Sequence, residues 1–194
     1  MLILSTKLKE VPVMSLQTGT KIAQTAEPII DPGKLQIVAY TLTGHSIEDE
    51  DLLLTQDIRE VGHMGLIVDS IDEVVSKRDM VKLKELFELD FTLINKTVID
   101  ENKTKLGTVQ DYGLDPIDFK IYQLHVKRPL IKSIQTSHLV IHRDQILEIN
   151  NKHIIVHSTQ SEEKSKQDII AENFVNPFRK QTNPTPESNI QKNN

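Results

Sequence analysis

Leu35-Gln36-Ile37-Val38-Ala39-Tyr40-Thr41-Leu42 comes back about eighty residues later as Ile117-Asp118-Phe119-Lys120-Ile121-Tyr122-Gln123-Leu124. In both stretches apolar residues alternate, switch phase at one step, and carry a tyrosine just past the switch. Further on, Leu66, Val68, Val74 and Val75 find counterparts in Leu147, Ile149, Ile155 and Val156. A unit of this length exceeds a solenoid repeat and points to two small domains built alike. The copies run over Val11–Val75 and Leu93–Ser158.

At 194 residues the chain suits one or two domains. Each copy alone is near the size where a single core is marginal, so packing one against the other helps both. Aromatics are scarce, with five Phe, three Tyr and no Trp, and the cores must be mostly aliphatic. The absence of cysteine excludes disulfides and thiolate metal sites. A net charge of −5 argues against generic attraction to a phosphate backbone. Met1-Leu2-Ile3-Leu4 is too short for a secretion signal, and no apolar run approaches the roughly 20 residues that span a bilayer. A cytoplasmic protein without an integral membrane segment is expected.

Asp31-Pro32-Gly33 is a turn signal. Lys34 to Leu42 reads as a strand whose phase switch is a β-bulge, of the kind that makes a corner in a small barrel. Gly44 to Asp51 forms an acidic loop. Gly65–Val68 and Glu73–Val75 are predicted to pair as a hairpin. Ser76 to Leu89 has helical spacing, with Ser76 as the N-cap. In the second copy, Gly107–Tyr112 reads as a strand, Asp115-Pro116 turns the chain, and 146–149 with 153–156 form a hairpin. From Gln160 the composition turns polar and proline-bearing, which predicts a disordered tail. The expected boundaries are 1–90, 91–160 and 161–194.

Lys105-Leu106-Gly107-Thr108-Val109-Gln110-Asp111-Tyr112, with Asp115-Pro116 and Phe119-Lys120-Ile121 after it, resembles the PRC-barrel family. That family is named for the H subunit of photosynthetic reaction centres and includes the C-terminal domain of the ribosome maturation factor. The matching positions are Gly107, Val109, Asp111, Asp115 and Pro116, all structural. In the first copy Ala26-Glu27-Pro28-Ile29-Ile30 stands where this strand would be. The resemblance implies an all-β protein of two tandem small six-stranded PRC-like barrels, with a linking helix and a disordered tail. It implies no shared catalytic residue, and docking onto a protein or ribonucleoprotein partner.

Chemistry-bearing constellations are few. Five of the seven histidines fall in the second copy, but His138/His142 and His153/His157 lie on extended segments, where four residues span roughly 13 Å and cannot share a metal. A cross-strand pair such as His142 with His157 stays open. The run Glu48-Asp49-Glu50-Asp51 lacks the alternation and central glycine of a calcium loop. His142-Arg143-Asp144 echoes a kinase catalytic loop in letters only, and Asn176-Pro177-Phe178 is too short to specify docking. Lys120, Lys127, Arg128, Lys132 and Arg143 give the second copy a positive face, with Lys127, Arg128 and Lys132 as phosphate contacts. The sequence carries no familiar catalytic or cofactor signature, and no catalytic residue, cofactor or metal is expected. The expected function is a non-enzymatic adaptor with a protein partner. The alternative is an RNA-associated factor in ribosome maturation or RNA processing, and a homo-oligomer is compatible with either.

Overall fold

The computed structural model describes residues 1–45, 47–48, 51–129 and 138–157. The expected tail, the NPF triplet, Lys132, Asp49 and Glu50 lie outside them. The strands are β1 (Ile3–Leu4), β2 (Pro12–Ser15), β3 (Lys21–Asp31), β4 (Gln36–Thr43), β5 (Asp51–Leu54), β6 (Glu60–Gly62), β7 (Gly65–Val68) and β8 (Val74–Ser76). After helix α1 (Lys84–Leu89) come β9 (Thr97–Asp100), β10 (Lys105–Leu114), β11 (Ile121–Lys127), β12 (His138–His142), β13 (Ile146–Ile149) and β14 (His153–Val156). The first sheet runs β6-β7-β2-β3-β4-β5-β8. The second runs β12-β11-β10-β9-β14-β13, with β1 added to β10. Both are mixed, because β2 and β7, and β9 and β14, pair in parallel.

The expected barrels are not formed. Closing a barrel requires the outermost strands to hydrogen-bond to each other. Among the described residues β6 does not pair with β8, nor β12 with β13, so both sheets are open. The expected hairpin between Gly65–Val68 and Glu73–Val75 is also absent. Ser70 accepts from the Asp72 N–H at 3.0 Å and caps a 3-10 turn over 71–73, so the chain does not reverse there. Instead β7 pairs with β6 and β2, and β8 with β5. The 146–156 hairpin is present as β13–β14. The helix is shorter than its spacing suggested. Met80 adopts φ −91°, ψ 61°, which breaks the run, leaving 3-10 turns over 77–79 and 81–83 before α1.

The repeat is present, in a register set by the turns. Register breaks fall at Ile22 and Leu106, between Thr25 and Pro28 and between Val109 and Asp111, and at Val38 and Tyr122. Ile22 and Leu106, Thr25 and Val109, and Val38 and Tyr122 are each 84 residues apart, as are Asp31-Pro32 and Asp115-Pro116. Val38 is therefore the β-bulge behind the phase switch, and it brings Ile37 and Tyr40, three residues apart, into the same core. Tyr40 corresponds to Leu124, and Tyr122 to Val38. Tyr122 is consequently exposed, against the expectation that it shares Tyr40's core role.

Each aspartate holds its turn by accepting backbone N–H groups: Asp31 from Gly33 at 2.9 Å and Lys34 at 3.1 Å, Asp115 from Ile117 at 2.8 Å. The turns end at Leu35 (φ 49°) and Phe119 (φ 56°), a left-handed conformation that costs bulky residues on the order of 1–2 kcal/mol. The cost is offset where the two corners meet. The Ile37 N–H donates to the Phe119 carbonyl at 3.0 Å, and the Ile121 N–H to the Leu35 carbonyl at 2.9 Å. The two halves are thus related by a local two-fold axis, with Gln36 bridged to Lys120 beside it. Around it the buried side chains of both sheets form one hydrophobic cluster, in the single compact unit Met1–Ser158.

The leading segment of each half reaches the other half's sheet. β1 pairs with β10 through Ile3–Leu114 and Leu4–Gly113, while α1 packs on β3. Arg143 adds a third tie across the halves, donating to the carbonyls of Lys34 (2.6 Å), Leu35 (3.2 Å) and Ile121 (3.3 Å). Hydrogen bonds from a charged donor contribute about 1.5–3 kcal/mol. Arg143→Ala is expected to lower unfolding stability by about that much. Lys9→Ala, which breaks an exposed, solvent-screened pair with Glu27, should leave stability nearly unchanged. Urea denaturation of the two variants checks the difference.

Candidate functional site

The two halves differ most at one sheet edge. In the first, β5 is paired on both sides, by β4 and by β8, with Val75 opposite Leu52. In the second, the equivalent strand β12 pairs with β11 from Lys127–His138 to Gln123–His142, and among the described residues no strand occupies its other side. Side-chain burial follows. Leu52 is fully buried, whereas Val140 at the matching position is 44% exposed. Leu147 on β13 is exposed as well, and so are His138 and His142. The strand's end is fixed by Gln145, whose side chain accepts from the His142 N–H at 2.9 Å. An edge with apolar side chains and unpaired backbone is a template for adding a strand.

The expected basic face is only partly assembled. Lys120 is bound to Asp118 at 3.0 Å, and Arg143 is turned into the carbonyls described above. Partial burial works against the charge of Asp118. Hydrogen bonds from the Lys120 backbone and ammonium outweigh it, with Arg143 nearby, and hold the carboxyl below its ordinary range. Lys127 and Arg128 lie together at the end of β11, beside His138. The histidines do not converge. His157 pairs with Glu101 at 2.9 Å, while His142 belongs to the turn after β12. No group of three metal-capable side chains occurs among the described residues.

The glycine-valine-aspartate residues all serve architecture. A Cβ on Gly107 would sit 2.3 Å from the Lys127 carbonyl oxygen, so β10 can cross β11 this closely only with glycine there. Val109 is fully buried. Asp111 accepts from Ser5 Oγ at 2.5 Å and Thr6 Oγ1 at 2.8 Å and so clamps the N-terminal segment, while Asp115-Pro116 makes the turn. The first half does contain this strand's equivalent, as Ala23, Thr25 and Glu27 rather than Ala26–Ile30. The Thr25 and Val109 N–H groups donate to Val11 and Lys96 at 2.9 and 3.0 Å in matching places.

No family model matches the chain, and no curated protein matches it. With both sheets open, the resemblance to PRC barrels therefore does not hold, and neither the family nor the barrel describes this chain. Among the described residues no helix is long and apolar enough to cross a membrane.

A cleft of about 380 Å³ between the halves is lined by Ser5, Phe91, Tyr40 and Tyr112, with Glu27 and Lys9 also on its wall. The sequence reading missed it, because its wall joins residues from both halves and both leading segments. The Tyr40 ring meets Phe119 edge-on, with centroids 6.4 Å apart. Its hydroxyl is the one buried side-chain polar atom without a hydrogen-bond partner among the described residues. Burial pushes both phenols well above their ordinary range, and Ser5 partly offsets this at Tyr112.

Phenols with raised folded values contribute stability that is complete below about pH 10 and lost as pH rises towards those values. Phenolate absorbance from Tyr40 and Tyr112 is thus expected only as the protein unfolds in alkali, which a spectrophotometric titration beside circular dichroism will show. Tyr40→Phe, which removes an unpartnered buried hydroxyl and keeps the ring, should leave stability unchanged or raise it by about 1 kcal/mol. Thermal denaturation measures this.

Proposed function

We propose that the protein is a non-enzymatic adaptor that captures an extended segment of a partner protein on the outer edge of β12. The observation that carries this reading is the contrast between halves: β5 has β8 beside it, while the equivalent edge of β12 is open among the described residues. Strand addition gives affinity through main-chain hydrogen bonds and specificity through alternate side chains. The first half supplies a template for those side chains. In β8, Val75 faces Leu52 and Val74 faces Leu53. A partner strand on β12 would accordingly set a β-branched apolar residue opposite Val140, a cross-strand pair of the kind worth about 0.2–1 kcal/mol.

Phosphate contact by Lys127 and Arg128 is the second reading, supported by their proximity at the end of β11. It has less behind it than strand addition, since Lys120 and Arg143 are engaged internally.

A peptide with the sequence of residues 72–78, which contains β8, is the direct probe. Added to isotope-labelled full-length protein, it is expected to shift the backbone amides of 138–142 and to do so less in Val140→Lys. Shifts confined to other regions, or none at millimolar peptide, would overturn strand addition. Binding of an unstructured RNA oligomer that weakens steeply with salt, and is lost on changing Lys127 and Arg128 to Glu, would favour the second reading.

A further inference from the structure

We infer that the strand fitted to the β12 edge includes β12 of a second copy of this chain. This rests on the reading of β12 as an open edge and names one occupant for it. His138-Leu139-Val140-Ile141-His142 has nearly the same chemical order in either direction. A two-fold axis through Val140 would pair two such strands antiparallel, with position 138 opposite 142, 139 opposite 141, and 140 opposite itself. Every pair is then like with like: histidine with histidine, leucine with isoleucine, valine with valine. An isologous interface requires this kind of self-complementarity, because one surface patch must serve both sides.

The burial pattern supports the same pairing. Ile141 is fully buried and Leu139 partly so, and both belong to or pack against the core. Val140 is 44% exposed on the opposite face, flanked by two exposed histidines. Joining two edges would continue the second sheet across the axis and bring the two copies' Val140 side chains together. No charged side chain within β12 opposes the approach, whereas edge strands protected against pairing commonly carry lysine or proline. Five residues per side make a small interface, below the usual size of a permanent dimer, so the association is reversible and concentration-dependent. It also excludes a partner strand from the same edge, making the dimer a form in which the docking site is closed.

Sedimentation equilibrium of the full chain over micromolar to millimolar concentrations tests this. The wild-type mass is expected to rise from the 22.1 kDa of one chain towards twice that value. Val140→Lys should stay at the single-chain mass throughout, with an unchanged circular dichroism spectrum. Leu147→Lys, which changes an exposed apolar residue off the proposed axis, should associate like wild type. Excess peptide of sequence 72–78 should return the wild-type dimer to single chains. A constant single-chain mass in wild type would overturn self-pairing, as would a dimer that survives Val140→Lys. If the peptide still shifts the 138–142 amides in such a protein, only the self-pairing falls and strand addition stands. If the peptide is silent too, both fall.

Discussion

Two hydrogen bonds at the centre of the molecule set the terms for everything around them. Ile37 donates to Phe119 and Ile121 to Leu35, so each half contributes one donor and one acceptor from equivalent positions. For those carbonyls to point outward, Leu35 and Phe119 must take left-handed backbone conformations that bulky residues avoid. The Asp-Pro turns before them deliver the chain in that conformation, and burial of both side chains keeps it there. Arg143 locks the same corner by filling the first half's carbonyls from the second. Corner, turn and cross-tie are mutually dependent, which explains why the two sheets share one core.

Symmetry at the centre gives way to asymmetry at the rim. The first half is finished on both sides of β5: β8 covers the edge, and Ala39 and Leu52 are buried outside the main cluster. In the second half the equivalents of those two residues are Gln123, half-buried, and Val140, exposed. Among the described residues, one half thus presents a covered edge and the other an uncovered one. Duplication followed by divergence of the rim would provide an interaction surface without disturbing the shared core, since core and rim residues alternate along each strand.

How much of this could be read from the sequence depended on what each residue type was doing. The two-copy plan, the bulge in β4 and the β13–β14 hairpin were legible because apolar alternation reports directly on burial. The register between copies was set two residues off, by matching Tyr40 to Tyr122. A core position accepts any large apolar side chain, and Leu124 fills Tyr40's place. The Asp-Pro turns were the better guide, since their hydrogen-bond geometry tolerates few substitutes. In the same way Gly107 stood out only as a structural position of a barrel motif, while its constraint is a carbonyl oxygen 2.3 Å from where a methyl would be. The site was least legible of all. An open edge is defined by what does not pair with it, and Arg143 looked like a surface charge until its three acceptors were in place.

The exchange of leading segments has a consequence for how the chain comes into being. Ser5 and Thr6 are held by Asp111, whose codon is translated 105 or more residues later. During synthesis the N-terminal segment must therefore wait, undocked, until β10 has emerged. α1 meets β3 much sooner, as the first half is already complete when it appears. Neither half carries all of its own covering elements, so each is fully covered only with the other half in place. Docking of the earliest residues is therefore tied to the formation of β10, more than a hundred residues later in the chain.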